Sequence, residues 1–104
     1  MARVTILGFV IFFHFSVISD AKWKRHIIDD SSRGADGVRV EDVNGDGYLD
    51  LTTGWEEGGI VRVTLNPGPA AVRQRWPSVT VGAVASPEDA VFVDLDRDGT
   101  VDVV

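Results

Sequence analysis

The 104-residue chain has no cysteine, one methionine and two histidines, and its charge balance lacks any basic excess. Each shortage closes a class. Without cysteine there is no disulfide framework. Zinc is disfavoured as well, because His26 is the only imidazole outside the apolar N-terminal run that contains His14. Sixteen acidic groups against ten basic ones give a formal charge of −6, so the basic footprint of a nucleic-acid binder is missing. No basic amphipathic helix is present to lie on a membrane surface. Ser31, Ser32 and Ser86 have neither a Gly-x-Ser-x-Gly context nor a partnered histidine, and no Gly-rich loop runs into Lys-Ser/Thr. Glu56 and Glu57 are adjacent in a Gly-rich turn and point apart, unlike carboxylates paired across a glycosidic bond. These absences predict a protein without catalytic or cofactor-binding residues.

What is present falls into two parts. Arg3 precedes an apolar run, Val4 to Ile18, and Ser19 and Ala21 provide small residues before a cleavage point. This is the pattern of a secretory signal, predicted as a signal helix over residues 1–21, with cleavage after Ala21 or Ser19. Retention as an anchor is the alternative reading, since an apolar run of about 18 residues approaches a membrane span. The mature chain, residues 22–104, is then expected at the cell surface, outside the cell or in the periplasm, with no membrane contact after cleavage. An exported domain this small is usually braced by disulfides or by metal. With cysteine absent, metal is left.

Beyond residue 22 the apolar period is two. Val38-Arg39-Val40-Glu41 and Val61-Arg62-Val63-Thr64-Leu65 alternate, Val79-Thr80-Val81 and Ala90-Val91-Phe92-Val93 follow, and Gly, Asn-Pro-Gly and Ser-Pro turns separate them. The mature chain reads as all-β.

It also repeats. Asp42-Val-Asn-Gly-Asp-Gly-Tyr-Leu-Asp-Leu returns 52 residues later as Asp94-Leu-Asp-Arg-Asp-Gly-Thr-Val-Asp-Val. Val38 and Val40 correspond to Ala90 and Phe92, and Trp23 aligns near Trp76. Four short strands at a period near 50 residues predict antiparallel blade units of a β-propeller. The first unit is expected over about 23–75 and an incomplete second over about 76–104. Because repeats of this kind bury their faces against neighbours, further blades of a longer chain, or a partner, are expected to complete the core.

Within each loop, side-chain oxygens recur at alternate positions. Ca²⁺ takes six to eight oxygens, and a chain wraps it by turning tightly with alternate side chains inward. The expected ligands are Asp42, Asn44, Asp46 and Asp50 in the first loop and Asp94, Asp96, Asp98 and Asp102 in the second. Tyr48 and Thr100 would contribute backbone carbonyls. Gly47 and Gly99 permit the turn. An EF-hand is disfavoured because position 12 of the first loop is Thr53 rather than a bidentate Glu, and because a strand precedes the loop. A dockerin-like docking module starts with the same D-x-N-x-D-G but continues into a helix, and it stands as an alternative.

The run Gly34-Ala-Asp-Gly-Val-Arg-Val-Glu-Asp-Val-Asn-Gly-Asp-Gly-Tyr-Leu-Asp-Leu, with Trp55-Glu-Glu-Gly-Gly and Asn66-Pro-Gly behind it, resembles the FG-GAP/VCBS repeats of secreted bacterial and integrin-α-type β-propellers. The literal Phe-Gly and Gly-Ala-Pro motifs are absent. The resemblance covers residues 23–104 and implies blades with Ca²⁺ in loops at one rim. The implied role is adhesion, recognition or scaffolding toward an extracellular protein or carbohydrate. The non-catalytic part of a propeller enzyme is a further alternative. Trp23, Trp55 and Trp76 are expected to pack between blades, with Trp55, placed in a turn, the one residue suited to ligand contact.

Overall fold

The computed structural model describes residues 23–104. The expected signal helix, residues 1–21, lies outside them. The described residues are all-β. β1 (Ala35–Glu41), β2 (Asp50–Trp55), β3 (Ile60–Thr64) and β4 (Ser78–Ala83) form one antiparallel sheet in sequential order. β5 (Phe92–Val93) and β6 (Asp102–Val103) form a two-stranded antiparallel sheet. A four-stranded up-and-down sheet followed by the first hairpin of another is the blade pattern read from the repeat.

The fourth strand of the first sheet follows Trp76. Ser78–Ala83 pairs with β3 and completes that sheet. The outer strand of one sheet is therefore carried by the start of the next sequence unit. The reason is local: the turn through Asn66-Pro-Gly and residues 69–73 returns the chain antiparallel to β3, where Leu65 N donates to Pro77 O at 2.8 Å.

Strands follow each acidic loop, β2 after the first and β6 after the second. The dockerin-like alternative needed a helix at those places and is overturned.

Pairing register sorts the first sheet into two faces. Arg39, Thr52, Val63 and Val79 form one cross-strand row, and Val40, Leu51, Thr64 and Ser78 the next row, on the opposite face. Central strand β2 is almost wholly buried, as are Val61 and Val63 on β3. Trp55 is the last residue of β2 and only 6% exposed, so the expectation of a turn tryptophan open to ligand is corrected. The strand runs on to Trp55 because Ile60 pairs with it across a short turn through Glu56–Gly59. Trp23, by contrast, is 98% exposed.

The second unit covers the Thr52–Val63 face. Ala90 is buried, Gly37 N donates to Glu88 O at 2.7 Å, and Arg39 pairs with Asp89. A side chain at Gly54 would put its Cβ 2.6 Å from Pro87 O, so glycine is what lets the two units close on each other. The fit is incomplete: a cavity of about 240 Å³ lies between them, lined by Val61, Gly82, Val84, Ala90 and Val103.

The other face is partly covered by the segment before β1. Asp29 lies 3.2 Å from Arg62 Nε, accepts from Ser78 Oγ at 3.2 Å and from Ser31 N at 2.9 Å. Burial works to raise the Asp29 carboxyl, but the Ser31 hydrogen bonds, the Arg62 guanidinium and Ser78 outweigh it and hold it below the ordinary 3.8. A lowered folded-state pKa means that this contribution is complete above the unfolded value and disappears as pH falls through the folded one.

Two outcomes follow for stability. Gly54→Ala is expected to cost about 1–3 kcal/mol in denaturant unfolding, since the opposing atom is backbone. Asp29→Asn is expected to cost about 1 kcal/mol at neutral pH. Its stability–pH curve should be flatter than that of the parent below pH 3.8 and parallel to it above; identical acid slopes would refute the assignment.

Candidate metal centre

Each loop is a short acidic segment between two strands, and its own amides organise it. In the first, Asp42 accepts from Gly45 N (2.8 Å), Asp46 N (3.1 Å) and Gly47 N (2.7 Å). In the second, Asp94 accepts from Asp98 N (3.1 Å) and Gly99 N (3.0 Å). Position 3 repeats as well: Asn44 accepts from Asp46 N and Asp96 from Asp98 N, both at 3.1 Å. The two loops thus share one hydrogen-bond pattern, as their shared spacing requires.

Gly47 and Gly99 have φ of 87° and 91°, the left-handed region that a Cβ disfavours. Position 4 also turns left-handed, with Gly45 at 74° and Arg97 at 63°. Arg97 therefore occupies a conformation that suits glycine, where the first loop has Gly45.

Three of the predicted ligands converge. Carboxylate oxygens of Asp94, Asp96 and Asp102 lie within 4.8 Å of one another, with Asp94 and Asp96 exposed and Asp102 half-buried. Positions 1, 3 and 9 of the second loop thus gather on one point. Three like charges this close repel, and a hard dication in their midst removes the repulsion, so the donor set fits Ca²⁺.

Position 5 is tied to the backbone of position 7. Asp46 accepts from Tyr48 N at 2.9 Å. Asp98 accepts from the Thr100 hydroxyl and, at 2.8 Å, from Thr100 N. Those bonds hold the Asp98 carboxyl below its ordinary value, the hydroxyl most of all. Asp46 and Asp98 are engaged with the next turn of backbone, and Tyr48 and Thr100 donate their amides to them.

Position 9 shows a role that the spacing did not reveal. Asp50 is fully buried, and its two oxygens accept from Val43 N at 3.0 Å and Asn66 N at 2.8 Å. It ties the start of the loop to the chain leaving β3. Asn66 strengthens the tie by donating from Nδ2 to Leu49 O at 3.1 Å and accepting from Gly68 N at 2.9 Å. Asp102 reproduces the first half of the tie, accepting from Leu95 N at 3.0 Å. The Asn-Pro-Gly that reads as a turn signal is thus part of the loop's anchorage.

The remaining residues weighed from sequence lie apart. His26 is exposed, and Glu56 and Glu57 are exposed in the β2–β3 turn.

Comparison with known proteins agrees with this geometry. A family model described as FG-GAP-like repeat matches residues 42–104, from the first ligand position of one loop through the whole of the other. The chain belongs to the FG-GAP-like repeat family. Searches of the curated proteins and of the solved structures gave no significant match.

Arg97→Gly is expected to raise stability by up to about 1 kcal/mol by relieving the left-handed conformation. Asp50→Ala is expected to cost about 2–4 kcal/mol without added metal, because two buried amides lose their acceptor. Chemical denaturation in EDTA reads both effects; an unchanged midpoint for Asp50→Ala would refute the anchoring role.

Proposed function

We propose that this chain is an exported, calcium-binding repeat segment with a structural and recognition role rather than an enzymatic one. The observation that carries the reading is the convergence of Asp94, Asp96 and Asp102 within 4.8 Å in a loop whose hydrogen-bond pattern recurs around Asp42. Asp94, Asp96 and Asp102 would hold the ion in the second loop, and Asp42, Asn44 and Asp50 occupy the same positions in the first. Ca²⁺ would neutralise the gathered carboxylates and stiffen the connection between the first two strands of each unit.

Export is supported by the leader pattern of residues 1–21. A role in adhesion or scaffolding, toward an extracellular protein or a carbohydrate, is supported by membership of the FG-GAP-like repeat family and by the exposed acidic residues of both loops. The adjacency of Glu56 and Glu57 in an exposed turn, and the lack of a partnered histidine for Ser31, Ser32 and Ser86 in the sequence, support a non-enzymatic reading.

Calorimetric titration with CaCl₂, paired with circular dichroism, tests the reading. Binding heat and a higher unfolding temperature are expected, since ligand at about 100 times its Kd adds roughly 2.7 kcal/mol. Asp96→Ala should lower the affinity of the second loop at least about tenfold, while Glu57→Ala leaves both loops unchanged. No heat and no thermal shift in millimolar Ca²⁺ would overturn the proposal.

A further inference from the structure

The chain holds ten basic residues, yet three of them, Lys22, Lys24 and Arg25, stand within four positions. Residues 26–104 carry fifteen acidic groups against six basic ones. A cationic run beside so acidic a body is expected to fold back and pair with it. It does not. Trp23, Lys24, Arg25, His26 and Ile27 are all exposed. The ion pairs among the described residues use Arg39, Arg62 and Arg75 instead.

The fold takes hold directly after this run. Ile28 O accepts from Trp76 N at 2.9 Å, Asp29 meets Arg62 at 3.2 Å, and Asp30 pairs with Arg75. Among the described residues, no strand pairing and no backbone hydrogen bond involves residues 23–27. The peptide groups on both sides of the Arg25–His26 bond are therefore open, through Trp23 on one side and Ile27 on the other.

An endoprotease binds its substrate as an extended strand through main-chain hydrogen bonds, and an acidic pocket selects arginine before the cut. The other described arginines do not meet those demands. Arg39 and Arg62 lie in the paired strands β1 and β3. Arg33 O, the carbonyl that would be attacked, accepts from Gly58 N at 3.2 Å. Arg73 lies in a turn where Gln74 N donates to Ala71 O at 2.9 Å. Arg75 is held by Asp30, and Arg97 has a φ of 63°, far from an extended backbone. Among the described residues Arg25 alone has an open backbone on both sides and a second basic residue directly before it.

We propose that the Arg25–His26 bond is a processing site for a serine endoprotease that reads paired basic residues. Lys24 and Arg25 fill two acidic subsites of that enzyme, with Trp23 before them and His26 and Ile27 after them in its cleft. The reaction is hydrolysis: the peptide bond breaks, one water is consumed, Arg25 gains a carboxylate and His26 an amino group. The cut parts the folded repeat from residues 1–25, which carry the apolar run and four of the ten basic residues. It leaves the ties of Ile28, Asp29 and Asp30 in place. It is a second event beyond leader cleavage after Ala21 or Ser19, and it does not depend on the loops' binding Ca²⁺.

Limited digestion of the full chain, read by intact mass and N-terminal sequencing, tests this. A kexin-type endoprotease, specific for Lys-Arg, is expected to make one cut. Its product begins at His26 and keeps the β-sheet circular dichroism of the parent. Lys24→Gln and Arg25→Gln are each expected to slow that cut at least about tenfold; both side chains are exposed, so the fold is retained. Trypsin, which needs a single basic residue, reads access alone. Its first cuts are expected within residues 22–25, and the remaining fragment should outlast the intact chain at least about tenfold. The Arg25 cut is expected in EDTA as in millimolar CaCl₂, so a failure of Ca²⁺ binding leaves the result unchanged. A parent that the kexin-type enzyme does not cut overturns the proposal, as does undiminished cleavage of either variant. A first trypsin cut after Arg33, Arg73, Arg75 or Arg97 overturns it too, and so does a His26 product without its sheet spectrum.

Discussion

The buried carboxylate of Asp50 is the contact on which the rest of the first unit depends. One of its oxygens holds the entrance of the acidic loop at Val43, and the other holds Asn66 where the chain leaves β3. A charged acceptor shared by two backbone amides is stronger than a neutral one, and a buried one is costly to remove. Through it the loop, central strand β2 and the turn toward β4 have a common fixed point. The loop can then present Asp42 and Asn44 at one rim because its base does not move.

Around this point the hydrophobic core is small. Trp55, Val61, Val63 and Ala90 are the buried apolar residues described, and Thr52, Thr53 and Thr64 share the interior with them. Threonine suits a strand through its branched Cβ but contributes little apolar area. Hydrogen bonds such as Thr64 Oγ1 to Ser78 Oγ, at 3.1 Å, and the Asp29–Arg62 pair take up the polar groups. A sheet built this way gains much of its burial from what lies against its faces. The close contact at Gly54 and the backbone bond from Gly37 to Glu88 show the second unit supplying that cover on one side.

The two loops show how a repeated sequence diverges within a fixed geometry. Most of their amide-to-carboxylate bonds coincide, the bond from Gly45 N to Asp42 being without a counterpart among those of Asp94, and Arg97 keeps the left-handed turn that Gly45 makes. The converging acidic set and the anchoring bond of position 9 serve one end: the first gathers negative charge at the rim, and the second prevents the loop from relaxing that charge by spreading.

The sequence by itself determined the all-β class, the period of 52 residues, the two loops and the exclusion of an EF-hand. All of these rest on contacts between residues close along the chain, where spacing dictates geometry. Only the tertiary structure decided the register of Ser78–Ala83 on β3, that Trp55 ends a buried strand, and that Asp50 bonds to Asn66. It alone also decided that Arg39 meets Asp89. Those pairings join residues 16 to 50 apart or depend on where a turn returns the chain. Alternation identifies a strand but not its neighbour, and a carboxylate's position in a loop does not say which distant amide will reach it once the strands have closed.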